Sequence, residues 1–141
     1  MSAPIVDAGP LISLFDVRDP LHDRATEIAA SVSGSMHTTC PTFTEVLYFL
    51  GARCGSQMQR ALWMFRARGR IEITPFDWDR AAELMAQYSD GKMDLADASL
   101  VALAEERHVL DVLTWDSDFY AYRIRGTHEQ EMFHVIGPTG G

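Results

Sequence analysis

Four carboxylates, Asp7, Glu45, Asp97 and Asp116, stand beside the ends of apolar strands or in the helices that follow them. If the fold brings them within a few ångströms, they repel and raise one another's proton affinity unless a cation neutralises them. A hard divalent ion is the simple remedy. Ligation by carboxylates alone, with no histidine or cysteine nearby, selects Mg²⁺ or Mn²⁺, and water and substrate phosphate oxygens complete the octahedron. Such a metal activates water for in-line attack on a phosphodiester and stabilises the departing oxygen, so the chemistry indicated is phosphate-ester hydrolysis.

The stretch that organises the chain is Lys92 to Phe119. From Leu95 to Ala104 the sequence LADASLVALA is apolar on almost every face, the mark of a helix buried on most sides. Asp97 lies inside that run, where a carboxylate needs a cation, a cap or a water-filled crevice to compensate it. A purely structural account also exists: Asp94 as N-cap, with Asp97 in the first turn, where the helix dipole favours negative charge. Val109 to Thr114 then reads as a buried strand. It runs into Trp115-Asp116-Ser117-Asp118, and carboxylates at the carboxyl end of a central strand lie where open α/β sheets form their binding crevice.

The elements that must position these groups follow from pattern. Pro4-Ile5-Val6 is a strand that stops at Asp7, and a helix with proline in its first turn runs from Gly9 to Phe15. A second helical pattern covers Leu21 to Val32, and Met36 to Cys40 is a second strand. Pro41 begins a helix through Leu50, within which Thr42-Phe43-Thr44-Glu45 fits a capping box, a structural explanation for Glu45. Ser56 to Arg68 is a helix, Arg70 to Thr74 a strand, and Asp77 the N-cap of a helix reaching about Tyr88. After the turn Ser89-Asp90-Gly91 comes the organising stretch, then a short helix over Phe119 to Ile124 and a last edge strand over Met132 to Ile136. Strands alternating with helices predict a mainly parallel sheet covered on both faces, a three-layer α/β/α sandwich. In such a sheet all strands end on one edge, so the acids are expected to converge there.

Composition sets the bounds. The 141 residues suit a single domain, 1–141, and 47% hydrophobic content with 10 Gly and 6 Pro excludes disordered and collagen-like classes. No apolar run approaches a membrane span of about 20 residues, so no membrane partner and a cytoplasmic location are expected. Cys40 and Cys54 have no metal-ligand spacing and read as reduced, small core residues. The five histidines show no HExxH arrangement, and no GxSxG elbow is present. A net charge of −8 argues against a polyanionic partner, but its distribution tempers that. Between Val46 and Ile71 lie five arginines, Arg53, Arg60, Arg66, Arg68 and Arg70, and no acid. They form either a solvated helix face or a phosphate-contacting patch.

Ile5-Val6-Asp7-Ala8-Gly9-Pro10-Leu11-Ile12, Thr44-Glu45, Asp94-Leu95-Ala96-Asp97-Ala98-Ser99-Leu100-Val101-Ala102 and Leu113-Thr114-Trp115-Asp116-Ser117-Asp118-Phe119 together resemble the PIN domain, specifically VapC-type toxin ribonucleases. The resemblance covers nearly the whole chain. It implies a Mg²⁺-dependent endoribonuclease with a three-layer sandwich, in which Asp7 and Asp97 hold the metal and Glu45 and Asp116 complete an acidic quartet. Asp94 and Asp118 would be auxiliary, and Thr114 would orient a carboxylate or water. Ala8 departs from the family pattern, where a hydroxyl residue often follows the first acid. The resemblance also implies an RNA substrate, a cognate antitoxin that blocks the site and a homodimer. Phe15, Tyr48, Phe49 and Trp63 suit a groove for an antitoxin helix and equally suit a core.

Two other readings use the same residues. A receiver-type phosphoacceptor domain also gathers strand-end carboxylates around Mg²⁺, but it expects paired acids after the first strand and a lysine ending the last, whereas Lys92 is the lone lysine here. A non-catalytic binding module would keep the fold and use its acids as caps or to dock an arginine-rich partner.

Overall fold

The computed structural model describes residues 3–126 and 130–139. In chain order its elements are β1 (Ile5–Val6), α1 (Ala8–Phe15), α2 (His22–Ser31), β2 (Met36–Thr38), α3 (Cys40–Cys54), α4 (Ser56–Ala67) and β3 (Ile71–Ile73). There follow α5 (Trp78–Gln87), α6 (Leu95–Arg107), β4 (Asp111–Leu113), a 3₁₀ turn (Ser117–Tyr120), β5 (Arg123–Arg125), β6 (Gln130–Met132) and β7 (His134–Ile136).

Five strands pair in the order β3-β2-β1-β4-β7, every neighbouring pair parallel, as the alternation of strands and helices requires. The chain winds outward from β1 in one direction through β2 and β3, and in the other through β4 and β7. Between β1 and β4 the order reverses, and a crevice opens outside their carboxyl ends.

Side-chain alternation along the strands divides the core in two. Ile5 and Val112 face α5, α6 and the segment carrying Phe119, Tyr122 and Phe133. Val6, Met36, Ile71 and Leu113 face α1, α2, α3 and α4. This is the expected three-layer sandwich. Residues Ala96 to Ala104 of α6 are buried without interruption, so this helix is the central strut of its layer. It ends at His108, in the left-handed conformation (φ 54°), which turns the chain back into β4. Gly55, with φ 83°, breaks α3 from α4. No helix among the described residues is long and apolar enough to cross a membrane.

Three local expectations are corrected. The span 119–124 is not one helix: the 3₁₀ turn ends at Tyr120 and Arg123–Arg125 forms a strand. Met132 to Ile136 is not one strand either. Met132 pairs antiparallel with Arg123, whereas His134 pairs parallel with Asp111, so the chain changes sheets at Phe133. The buried Phe133 ring, edge-on to Phe119 at 5.6 Å, anchors that crossing. Cys40 is an exposed residue at the start of α3 rather than a core residue, because the first turn of that helix faces solvent there; Cys54 is partly buried.

Gly9 marks a close approach. A Cβ there would lie 2.9 Å from Cδ1 of Trp115, whose indole nitrogen donates to the Ser13 hydroxyl at 2.9 Å. Gly9→Ala should therefore destabilise the protein by about 1–3 kcal/mol, the usual cost of forcing packed side chains apart. Chemical denaturation followed by tryptophan fluorescence measures it, and an unchanged midpoint would show that the indole yields freely.

Candidate active site

The carboxyl edge of the sheet opens into a cavity of about 540 Å³ lined by Asp7, Glu45, Asp94, Asp97, Asp116 and Asp118. Ala8, Gly9, Lys92 and Trp115 complete its wall. All six acids singled out from the sequence thus share one concavity. Thr114 lies buried beside it and joins two of them: its hydroxyl donates to Oδ2 of Asp7 at 2.7 Å and accepts from the Asp116 backbone N–H at 2.9 Å.

Three of the acids, Asp7, Asp94 and Asp116, are held by local structure as caps. The Asp7 backbone N–H donates to the Leu113 carbonyl at 2.9 Å, fixing the end of β1 against β4. Its Oδ1 accepts from the Ala8 N–H at 2.8 Å, capping α1. Asp94 caps α6 by accepting from the Asp97 N–H at 2.9 Å, and Asp116 caps the 3₁₀ turn by accepting from the Asp118 N–H at 2.9 Å. The structural account and the shared-site account therefore coexist for these residues. Oδ2 of Asp97 accepts from the Tyr122 hydroxyl at 3.1 Å.

Glu45 differs, and the capping-box account of it is overturned. Cys40 and Pro41 already start α3, with Thr39 at the N-cap position, so Thr42 and Glu45 lie inside the helix. Pro41 has no backbone N–H to leave unpaired in the first turn and carries a φ suited to it, which favours the earlier helix start. Thr42 is buried and its hydroxyl pairs with that of Thr39 at 3.1 Å. Thr39 in turn meets the Ser99 hydroxyl at 2.6 Å, locking the start of α3 to the first turns of α6. That buried hydroxyl chain fixes the start of α3, the helix that carries Glu45 into the cavity wall. The Glu45 carboxylate accepts no hydrogen bond from a described residue.

Asp7 and Asp97 are each only 8% exposed. Burial pushes the Asp97 carboxyl up to about 7, with Asp94 and Asp7 adding repulsion and the Tyr122 hydroxyl opposing the shift. Burial also raises Asp7, against the hydrogen bonds from Thr114 and Ala8. Glu45 is raised by burial and by the charges of Asp94 and Asp7. Tyr122 is raised, first by burial and then by Asp97, so it stays a donor.

Six oxygen-donor acids with no histidine or cysteine in the wall fit a hard divalent cation by donor chemistry. As the side chains stand, no three of the described His, Cys, Asp or Glu residues form a finished metal cage. Asp7, Asp94 and Asp116 are instead turned onto hydrogen-bond donors. The set is one that a cation would draw together, not a preformed clamp.

The arginines lie elsewhere. Arg60, Arg66 and Arg68 are exposed on α4 and at its end, with Arg66 over the Trp63 ring at 5.8 Å. Arg70 has a structural task, donating to the carbonyls of Ala29, Val32 and Gly34 where α2 ends. Of the four aromatic residues, Phe15 and Phe49 pack against the core, whereas Tyr48 and Trp63 are exposed. Two residues of the site had no role in the sequence reading. Lys92 lines the cavity, exposed and without an ion pair to a described residue; its being the lone lysine was the available signal. Tyr122 gave none.

A family model described as the PIN domain matches residues 5–124. The ribonuclease VapC26 of Mycobacterium tuberculosis is 26% identical over 140 residues, covering 97% of this chain and 94% of its own. In fold, the chain is similar to Mycobacterium tuberculosis VapC20, a sarcin-ricin loop cleaving toxin, with a TM-score of 0.77 at 20% identity over 84% of this chain and 94% of that one. It is also similar to a chain of a toxin–antitoxin complex from Klebsiella pneumoniae, with a TM-score of 0.63 at 20% identity over 97% and 98%.

The raised Asp97 makes metal-free stability depend on pH. The folded state keeps a proton that the unfolded carboxyl, near 3.8, has lost, so the contribution is full below about pH 4 and is lost as pH rises through about 7. Asp97→Asn carries no charge at any pH. In EDTA its stability should match wild type near pH 4 and exceed it above pH 7, by on the order of 2–4 kcal/mol. Thermal unfolding across pH tests this; a constant difference would place the burden on another group.

Proposed function

The chain belongs to the PIN domain family, and we propose that it is a magnesium-dependent endoribonuclease acting as the toxin of a type II toxin–antitoxin pair. The observation that carries this is the convergence of Asp7, Glu45, Asp97 and Asp116 on one cavity at the switch point of a parallel sheet. The names of its relatives, a ribonuclease and a chain of a toxin–antitoxin complex, support the reaction class and the partner.

Asp7 and Asp97 would hold Mg²⁺, for which Mn²⁺ could substitute, and Asp116 and Glu45 would position a second ion or the attacking water. When bound, the ion supplies Lewis-acid polarisation of a phosphoryl oxygen and makes water acidic enough to attack near neutral pH. Glu45 would accept a proton from the attacking water at a carboxylate oxygen, a role that its raised proton affinity and its lack of a described donor both favour. Thr114 keeps Asp7 and Asp116 in register with each other. Lys92, at the cavity wall, meets the phosphate that the acids alone would repel. Residues 1–141 act as one domain in the cytoplasm, as a homodimer, and the antitoxin silences the site by countering its negative charge.

Purified, antitoxin-free protein should cut a structured RNA pool with Mg²⁺ or Mn²⁺ and not with EDTA. Asp97→Asn should lower the rate by about 10²-fold or more. Equal cutting by both proteins, or no metal requirement, overturns the proposal; a folded wild type that neither cuts RNA nor binds metal calorimetrically favours a binding module.

The arginines divide by role. Neutralising Arg60, Arg66 and Arg68 should raise KM and flatten the salt dependence of binding by about 0.7 per lost single-strand phosphate contact. Arg70→Gln should leave that slope alone and lower Tm, because its partners are the carbonyls at the end of α2. Titrating binding against salt for both variants separates these effects, and an unchanged slope in the triple variant removes the patch from the RNA path.

A further inference from the structure

We infer that Tyr122 is a positioning residue for Asp97, its hydroxyl holding Oδ2 so that Oδ1 remains for a divalent cation; this rests on the nuclease reading above.

The two innermost acids are each met by a buried hydroxyl, but differently. Asp7 receives Thr114 on Oδ2 and the Ala8 N–H on Oδ1, one donor on each oxygen, which leaves each a lone pair for a cation. Asp97 receives Tyr122 on Oδ2 at 3.1 Å, and no described donor reaches Oδ1. One oxygen is thus held and one is open, the state suited to monodentate ligation. Partners that orient a metal-binding carboxylate from behind act on affinity without touching the substrate.

Tyr122 is itself fixed on every side. It is 4% exposed, and its ring stands edge-on to Tyr88 and to Phe119, each at 5.1 Å. Its backbone N–H donates to the Asp118 carbonyl at 3.2 Å. The next residue, Arg123, donates its N–H to the Tyr88 hydroxyl at 2.9 Å. Ring, backbone and following residue are all restrained, so the hydroxyl is aimed rather than free to rotate away. Packing alone would need only the ring, which phenylalanine supplies equally well.

The test compares wild type, Tyr122→Phe and Tyr122→Leu by Mn²⁺ calorimetry without RNA, by Tm in EDTA, and by RNA cleavage at saturating metal. The expected result is a loss of Mn²⁺ affinity of about 10–100-fold in both variants. Tyr122→Phe should keep Tm within a few °C and leave the KM for RNA near wild type, whereas Tyr122→Leu should lose Tm as well because it lacks the ring. Wild-type affinity in Tyr122→Phe, with a deficit only in Tyr122→Leu, overturns the inference and leaves the nuclease reading intact. A wild-type protein with no Mn²⁺ affinity overturns both.

Discussion

Carboxylates taken out of water and set beside one another oppose the folded state, and the arrangement around this cavity is best understood as what restrains them. Burial is the largest effect on Asp7, Glu45 and Asp97, and mutual repulsion adds to it. The counterweight within the chain is a set of short hydrogen bonds. Thr114 carries the most of it, since one hydroxyl oxygen serves the Asp7 side chain and the Asp116 backbone together. The ends of β1 and β4 are thereby joined by side chain as well as by the ladder.

Topology makes such a collection possible. In an all-parallel sheet the carboxyl ends share an edge, and the helices that follow start there with their unpaired N–H groups and positive dipole ends. Asp7, Asp94 and Asp116 satisfy those N–H groups as caps, so the same residues that start α1, α6 and the 3₁₀ turn also line the cavity. Capping and site formation are one arrangement. Between the two cores, the hydroxyls of Thr39, Thr42 and Ser99 bind α3 to α6 across the layers, which determines where Glu45 stands.

The charge of the chain is segregated rather than merely negative. The cavity gathers six acids and one lysine, while Arg60, Arg66 and Arg68 project from α4. A polyanion meets repulsion at the first and attraction at the second, so local distribution decides approach where the net charge of −8 would mislead. Farther along α6, the bidentate pair of Arg80 with Glu105, at 2.7 and 3.0 Å, fastens α5 to α6, and Glu105 also receives the Arg125 N–H. The Arg125 bond keeps the helix bearing Asp97 and the strand following Tyr122 in one unit.

Local pattern was enough for the alternation of strands and helices, the burial of α6, the caps at Asp77 and Asp94 and the meeting of acids at one edge. These depend on periodicity and on residue types within one turn, so neighbours along the chain determine them. What tertiary structure decided involves partners far apart in sequence. Arg70 is recruited by carbonyls at the end of α2, Tyr122 by an aspartate 25 residues away, and the segment before Ile136 is divided between two sheets by the burial of Phe133. Glu45 fitted a local capping motif, yet the helix began earlier and a contact from Ser99 to Thr39, 60 residues apart, determined its surroundings. Local patterns record what a residue can do with its own backbone, but which oxygen of Asp97 is held and which is open depends on a ring packed between two others, a relation that exists only once the chain has closed.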